Sequence, residues 1–184
     1  MTGPLEITND AFAIGKIEGI YTCQAYNRQY GTNFISVMPC NFYGPNDNFD
    51  PTLSHVLPSL MHKFHVAART GVQEIELWGS GTPRREFLHV DDVADGCIFA
   101  MNQYNDSCIL NIGSGTDVTI LELADLMRDI TRFRGEIIWD PAKPDGTPRK
   151  VLDVSRLHAL GWRHQIELRA GIETTYAWYR ENRA

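Results

Sequence analysis

The chain has 184 residues, of which 43% are hydrophobic, with a formal net charge of −6 and a pI near 5.5. This length suits one domain with a sizeable core, and the acidic balance argues against a general nucleic-acid binder, which would normally carry a basic patch. The sequence contains no run of 18 apolar residues, so we predict no membrane span, and its first residues lack the basic and apolar regions of a secretory signal.

The first predicted element is a helix that starts at the capping pair Asn9-Asp10 and continues to about Tyr30, where Gly31 provides a stop signal. Its apolar residues recur at spacings of three and four and form one stripe: Phe12, Ile17, Ile20 and Tyr21. Lys16 follows Phe12 by four residues, so its ammonium group is expected on the same face, one turn from the ring. Taken alone, the pattern indicates an amphipathic core helix with a lysine at its edge.

Strands and helices alternate along the rest of the chain, which predicts an α/β fold. The predicted strands cover residues 33–38 (a buried strand), 74–81 and 109–115 (each ending in a turn), 87–90, and 136–139. The predicted helices cover residues 53–70, 93–101, 120–130, 155–160 and 168–182, with Asp91, Asp92, Thr119 and Ser155 as capping residues. Gly113-Ser114-Gly115 precedes a helix but lacks the third glycine of a dinucleotide-binding turn, so it is a weak cofactor signal.

Polar stretches follow several of these strands. Residues 39–45 come directly after a strand, and ligands bind outside the carboxyl ends of strands in open α/β sheets, although an ordinary loop fits equally well. The pair Arg84-Arg85 is typical of a solvated face, but guanidinium groups also suit a diphosphate. Residues 143–150 form a polar loop punctuated by proline and glycine. His55 lies near a helix start, where a histidine is more often structural or solvated than catalytic.

The cysteines and histidines do not predict a metal site. Cys-x-x-Cys spacing is absent among the four cysteines, which are Cys23, Cys40, Cys97 and Cys108. We interpret them as reduced, mostly buried thiols of a cytoplasmic protein. His62 and His65 offer only two ligands, and such a pair is far more typical of a solvated helix face.

Several motifs carry a family resemblance. They are Phe12-x-x-x-Lys16, Arg28-Gln29-Tyr30-Gly31, Pro39-x-Asn41-x-Tyr43-Gly44-Pro45-x-Asp47-Asn48-Phe49, Trp78-Gly79-Ser80-Gly81-Thr82-Pro83-x-Arg85-Glu86-Phe87-Leu88-His89-Val90-Asp91-Asp92, and Lys143-Pro144-Asp145-Gly146-Thr147-Pro148-Arg149-Lys150. Together they resemble the GDP-L-fucose synthase family of extended short-chain dehydrogenase/reductases, whose members are NADPH-dependent epimerase/reductases acting on GDP-4-keto-6-deoxy-D-mannose. The resemblance covers nearly all of the chain and corresponds to the C-terminal part of the family.

The resemblance implies a fold in two parts. One is a partial Rossmann-type parallel sheet that lacks its N-terminal strands, and the other is the small C-terminal substrate-binding α/β subdomain. Residues from 1 to about 45 would be the remnant of the dinucleotide-binding domain. Residues of about 46–184 would be mainly the GDP-sugar-binding part, with returning segments of the sheet.

The resemblance also implies roles for individual residues. His55 would be the general acid for epimerisation at C3 and C5 of the sugar, a task that suits imidazole because its ordinary pKa lies near working pH. Lys16 would hold the nicotinamide ribose, and Phe12 stands where the family has the tyrosine that exchanges a proton with the sugar. The cofactor-side residues would be Lys16, Pro39, Cys40, Asn41, Phe42 and His55. The substrate-side residues would be Lys63, Trp78, Arg85, Asp145 and Lys150.

The chain departs from the family pattern in ways that bear on catalysis. A phenyl ring at Phe12 has no proton to give, and positioned acid–base groups contribute ~10²–10⁴-fold in rate. The glycine-rich turn for NADP(H), the catalytic serine and the cysteine that pairs with His55 belong to the part of the family that this chain does not match. We therefore expect catalysis by the chain alone to be weak or absent, and NADP(H) binding to depend on the missing part.

The same resemblance also implies binding partners. The first helix belongs to the family's dimer interface, and the strand 33–38 would have an open apolar edge, which promotes association. We expect a GDP-sugar ligand and a homo-oligomer or a complex with a full-length homologue. The alternatives are a non-catalytic GDP-sugar-binding or dimer-forming module, or a truncated gene product.

Overall fold

The computed structural model of the protein describes residues 3–5, 7–51 and 53–183. Met1, Thr2 and Glu6, which belong to the stretch predicted not to be a secretory signal, lie outside the described residues. After a short 3₁₀ turn (Ile7–Asn9), the helices are α1 (Asp10–Tyr30), α2 (Val56–Thr70), α3 (Val90–Gln103), α4 (Ile120–Thr131), α5 (Ser155–Ala159) and α6 (Leu168–Asn182). The strands are β1 (Val37–Pro39), β2 (Asn41–Tyr43), β3 (Glu74–Trp78), β4 (Arg84–Arg85), β5 (Phe87–His89), β6 (Leu110–Ile112), β7 (Val118–Thr119), β8 (Glu136–Asp140) and β9 (Arg149–Lys150). The predicted α/β class is confirmed.

Strand pairing is mostly parallel. β1 pairs with β6, β2 with β5, and β3 with β8, each in the parallel sense. β4 lies between β7, which is antiparallel to it, and β9, which is parallel. Because parallel neighbours need a crossover connection, the helices between paired strands are what the topology requires.

The larger core lies where α2, α4 and α6 pack beside β3 and β8. Its fully buried side chains include Met61, Phe64, Leu123, Met127 and Ile172. A capping box fixes the start of α4, as the Thr119 hydroxyl accepts from the Glu122 amide at 3.0 Å and the Glu122 carboxylate accepts from the Thr119 amide at 2.7 Å. The predicted cap at Thr119 is confirmed.

A second core joins β1, β5 and β6 to α3 and α5. Cys40, Leu88, Leu110, Ile112 and Trp162 meet there, and all are buried. This core holds the carboxyl ends of β1 and β6 next to the start of β2.

Helix α1 has the predicted bounds, ending at Gly31, but the prediction that its apolar stripe is buried is wrong. None of its residues is buried, and Phe12 and Tyr21 are 61% and 56% exposed. Polar contacts near its end attach it instead: the Gln24 amide donates to the Ser107 carbonyl at 3.0 Å. Ile17 and Ile20 of the stripe are half-buried, so the described part of the chain covers it only in part.

The predicted strand at residues 33–38 is shorter and more exposed than expected. The observed β1 contains only its last two residues and Pro39, and Met38 is 41% exposed. Among the described strands β1 pairs only with β6, so one of its edges is open, as predicted. The stretch at 39–45, predicted as a turn, contains β2.

The predicted capping by Asp91 and Asp92 is wrong. The His89 ring is the cap, since it accepts from the Asp91 amide at 3.3 Å. The buried Asp92 carboxylate instead accepts from the amides of Gln165 and Ile166, each at 3.0 Å. Both acids still lie in the first turn of α3, where the helix dipole favours them.

Smaller differences concern the C-terminal segments and the thiols. The end of the predicted loop 143–150 forms β9, and α5 has Val154 rather than Ser155 at its cap position. All four cysteines are free, but Cys40 alone among them is buried, so the prediction of mostly buried thiols is wrong. Within the described ranges, no helix has the length and apolar character needed to cross a membrane.

The Glu86 carboxylate, fully buried, links segments that are distant in sequence. Its Oε1 accepts from the Gly115 amide at 2.7 Å, and its Oε2 accepts from the Leu152 amide at 2.8 Å. A side chain at Gly113 could not fit, since a Cβ there would lie 2.3 Å from Glu86 Oε1. The carboxylate therefore joins the turn after β6 to the segment after β9.

Glu86→Gln should lower the free energy of unfolding by about 2–3 kcal/mol. The amide nitrogen would face one of the two backbone N–H groups, leaving that buried donor without an acceptor. Urea unfolding followed by circular dichroism measures the effect. The exposed Glu76→Gln serves as control and should change stability by less than about 0.5 kcal/mol; equal effects in the two variants would contradict the role of Glu86.

Candidate functional site

Two cations lie side by side on one face of the β4–β9 pair. Arg85 is the register partner of Lys150, and partners in a parallel ladder direct their side chains to the same face. The Arg85 guanidinium donates to the Arg84 carbonyl at 2.8 Å and lies against the loop at Gly146, where a Cβ would be 3.6 Å from its terminal nitrogen. Partial burial lowers the pKa of Arg85. In the described part of the chain, no carboxylate forms an ion pair with either cation.

The opposite face of the same strands is neutralised by Asp117. Arg84 and Arg149 are also register partners. Arg84 Nε donates to Asp117 Oδ1 at 2.7 Å, and Arg149 Nε donates to Asp117 Oδ2. Hydrogen bonds from Arg149 and then Arg84 hold the pKa of Asp117 below its ordinary value. One carboxylate thus accounts for two of the four cations and leaves Arg85 and Lys150 available.

Asp145 anchors the polar loop 143–150 beside these cations. Its Oδ1 accepts from the Ser80 amide and its Oδ2 from the Ser80 hydroxyl, both at 2.7 Å. These bonds lower the pKa of Asp145. Gly79 permits the close approach, because a Cβ there would lie 2.3 Å from Asp145 Oδ1. The loop that carries Lys150 is therefore fixed to the turn after β3.

Trp78 ends β3, the strand leading into that turn, and Lys63 of α2 reaches the same strand. Trp78 is 67% exposed, and the Lys143 ammonium lies 5.5 Å from the centroid of its ring. Lys63 Nζ donates to the Glu76 carbonyl at 2.7 Å, two residues before Trp78. All five residues predicted on the substrate side thus lie on or beside β3, β4, β9 and the loop 143–150.

The residues predicted on the cofactor side form a more open surface. Lys16 Nζ lies 5.1 Å from the centroid of the Phe12 ring, which confirms that the two share a face of α1. Pro39 and Phe42 are exposed, whereas the Asn41 side chain is occupied, donating to the Glu86 carbonyl at 2.9 Å.

Cys40 and His55 differ sharply in their surroundings. The Cys40 thiol is buried, and burial, followed by the charge of Glu86, raises its pKa to about 12, so it stays protonated at neutral pH. His55 is exposed at the cap position of α2 and makes no capping hydrogen bond with its ring. No contact among the described residues joins His55 or Lys16 to the substrate-side residues.

These residues fit the nicotinamide end of NADP(H) and not its diphosphate. The exposed Pro39 and Phe42 leave an apolar surface for a flat ring, and the Lys16 ammonium is accessible. The turn at Gly113–Gly115 was the weak dinucleotide signal, but the Gly115 amide is occupied by the buried Glu86 carboxylate at 2.7 Å. An anionic group already fills the position that a phosphate would need.

Sequence reasoning missed Asp117, Glu86 and Ser80. Asp117 and Ser80 are ordinary turn residues in the sequence, and their partners are 32 or more residues away. Glu86 offered one usable signal, an acidic residue between an arginine pair and an apolar strand. His62 and His65 each contact a tyrosine hydroxyl, and no group of three metal-ligating side chains exists within the described ranges.

Comparison with known proteins defines the family. Residues 1–113, more than half of the chain, match the NAD dependent epimerase/dehydratase family. The chain belongs to this family. A putative GDP-L-fucose synthase 2 of Arabidopsis thaliana is 54% identical over 99% of this chain and 56% of the relative, and the GDP-L-fucose synthase of Escherichia coli is 49% identical over 99% and 60%.

A solved structure supports the same family assignment. A GDP-L-fucose synthetase from Naegleria fowleri bound to NADP superposes with a TM-score of 0.91 at 30% identity, over 98% of this chain and 58% of that one. The resemblance inferred from the motifs is confirmed. The chain spans between 56% and 60% of the length of these three relatives.

Asp117→Asn should destabilise the protein at neutral pH, on the order of 1 kcal/mol after solvent screening. A carboxyl group with a lowered native pKa gives stability that is complete above its unfolded pKa and is lost as the pH falls through the native pKa. The difference between wild type and variant should therefore be constant from pH 7 to about pH 5 and shrink below about pH 4.

Denaturant unfolding at a series of pH values measures this difference. Glu181→Gln is the control, since Glu181 is exposed and forms no ion pair in the described part of the chain. A stability difference that stays unchanged down to about pH 3 would show that Asp117 is not the titrating group.

Proposed function

We propose that the chain supplies the GDP-sugar-binding part of a GDP-L-fucose synthase-type enzyme. The complete reaction would be NADPH-dependent epimerisation at C3 and C5 and reduction at C4 of GDP-4-keto-6-deoxy-D-mannose to GDP-L-fucose. The observation that carries the proposal is the pairing of Arg85 with Lys150, which leaves two uncompensated cations beside a loop fixed by Asp145. Motif resemblance and the similarity to GDP-L-fucose synthases support it.

The paired cations suit a diphosphate. A guanidinium group offers a planar fork of donors to phosphate oxygens, and an ammonium group adds a point charge. Asp117 already pairs with Arg84 and Arg149, whereas no ion pair in the described part of the chain involves Arg85 or Lys150. Trp78 offers an exposed ring at the end of β3, 5.5 Å from the Lys143 ammonium of the same loop.

The roles of His55 and Lys16 follow the family resemblance. His55 would protonate the sugar during epimerisation, and its exposed ring at the start of α2 is free to meet a ligand or a second polypeptide. Lys16 would hold the nicotinamide ribose. NADPH, when bound, supplies the hydride for reduction, but the phenyl ring of Phe12 cannot deliver the accompanying proton. We therefore propose impaired or absent turnover for this chain alone.

Calorimetric titration with GDP-mannose tests the binding part of the proposal. Wild type should bind, and Lys150→Gln should bind at least about tenfold more weakly, because a charge-assisted contact to phosphate is lost. Arg149→Gln is a matched control: it removes the same charge from the adjacent residue, whose side chain lies on the opposite face, and should change the affinity by less than about threefold.

Parallel titration with NADPH separates the two halves of the site. GDP-mannose binding without NADPH binding would support a substrate-binding part that works without the cofactor. Binding of neither ligand, or equal losses in Lys150→Gln and Arg149→Gln, would overturn the assignment.

A second candidate function is a dimer-forming module that acts with a full-length partner. Its support is an exposed apolar side of α1, where Ile14 and Tyr21, seven residues apart, are each more than half exposed. Exposed apolar patches of this kind mark association surfaces. The partner would be a second copy or a homologue that carries the cofactor-binding part.

Ile14→Glu should weaken this association. Sedimentation equilibrium of the wild type should show dimers or larger species, and the variant should shift towards monomer by at least about tenfold in dissociation constant. Ile98→Glu on α3 is the control, because Ile98 is 59% exposed and Ile14 55%. A wild type that is monomeric at all concentrations would refute the module.

A further inference from the structure

A positively charged cavity lies between the end of α2, the end of α4 and α6. Its volume is about 630 Å³, which falls in the range of small-molecule sites. Its polar lining consists of His65, Arg69, Thr131, Arg132, Tyr176 and Arg180. The remaining lining residues are two alanines and an isoleucine, so none of the described acidic residues lines it.

The three arginines of this cavity lack carboxylate partners. No ion pair in the described part of the chain involves Arg69, Arg132 or Arg180, although four other arginines each have at least one. Arg180 lies over the Tyr176 ring, with its guanidinium carbon 5.9 Å from the centroid. The chain has 23 acidic and 17 basic residues, so carboxylates outnumber cations. Three guanidinium groups without an ion pair around one cavity are therefore unexpected.

His65 adds a buried polar atom without a partner. Its side chain is 6% exposed, and Nδ1 lies 3.1 Å from the Tyr176 hydroxyl. Nε2 is buried and has no hydrogen-bond partner among the described residues. Burial, followed by the charge of Arg69, lowers the pKa of His65, so the ring is neutral at pH 7. In the tautomer where Tyr176 donates to Nδ1, Nε2 carries a hydrogen and is a donor that lacks an acceptor.

Arg132 occupies an unusual backbone position at the cavity rim. It ends α4 with φ of 60°, in the left-handed region that favours glycine. An arginine at such a position carries a small conformational cost, which is offset only where the surroundings fix it.

We propose that this cavity binds a small phosphate-bearing anion, with Arg69, Arg132 and Arg180 as the charged ligands and His65 as an additional donor. The three guanidinium groups provide the forked donors that phosphate oxygens accept. The site is independent of the Arg85–Lys150 pair and does not rest on the proposed function. Its ligand would be a phosphate monoester or a diphosphate, because a single negative charge would leave most of the positive charge unbalanced.

Pyrophosphate is the probe, and the ring ¹⁵N signals of His65 in the full chain are the readout. Wild type should show a saturable shift of the His65 Nε2 signal at low ionic strength. Arg180→Gln and Arg69→Gln should each weaken binding at least about tenfold, since each removes a charged contact to phosphate. Arg180→Lys should bind with intermediate affinity, because it keeps the charge and loses the fork.

Arg169→Gln is the matched control. Arg169 lies on the same helix, α6, but pairs with Asp129 at 3.2 Å and does not line the cavity, so its loss should change the affinity by less than about twofold. Arg85→Gln should leave the His65 response intact, which separates this site from the GDP-sugar site. Thermal melting of each variant shows whether it is folded.

The proposal is overturned by an absence of any saturable His65 response in wild type. It is equally overturned if Arg169→Gln and Arg180→Gln weaken the response to the same extent, since the effect would then be general electrostatics. Loss of the response in Arg85→Gln would place the anion at the other site.

Discussion

The buried Glu86 carboxylate is the constraint on which the substrate-side geometry depends. A carboxylate buried away from water is stable only when hydrogen-bond donors surround it. The segments that supply those donors are therefore held in place. Here they are the turn after β6 and the segment after β9. Because β9 follows the loop that Asp145 anchors, the position of Lys150 beside Arg85 depends on both carboxylates. Disturbing the buried acid would therefore move the paired cations.

Strand geometry then sorts four cations into two groups. Successive residues of a strand direct their side chains to opposite faces, so Arg84 and Arg85 cannot share a partner. Asp117 accepts from Arg84 and from Arg149, and the other face stays positive. A two-residue strand pair is thus enough to separate structural charge from charge available to a ligand. The same number of basic residues on one irregular loop would lack this division.

The elements that could be predicted are those specified by local signals. α4 and α6 follow from apolar period and capping, and Thr119 with Glu122 is a local pair. The two-residue strands β4, β7 and β9 could not be predicted, because their pairing is long-range. Asp92 shows the same limit: a cap by local rules, it instead bonds amides 73 and 74 residues later. Site residues within motifs could be named from the sequence, whereas the carboxylates that position them could not.

The strands that carry Arg85 and Lys150 and the first helix, α1, do not share a hydrophobic core. The substrate-side strands rest on two cores, both built without any buried residue of α1. Lys16 and Phe12 lie on that helix, where the ring takes the ammonium group on its face at 5.1 Å. The strands that carry Arg85 and Lys150 can therefore keep their geometry whatever covers α1, while the surroundings of Lys16 and Phe12 depend on what covers it. The paired cations and the residues of α1 are held by separate sets of contacts, so a change at Phe12 should leave the Arg85–Lys150 pair in place.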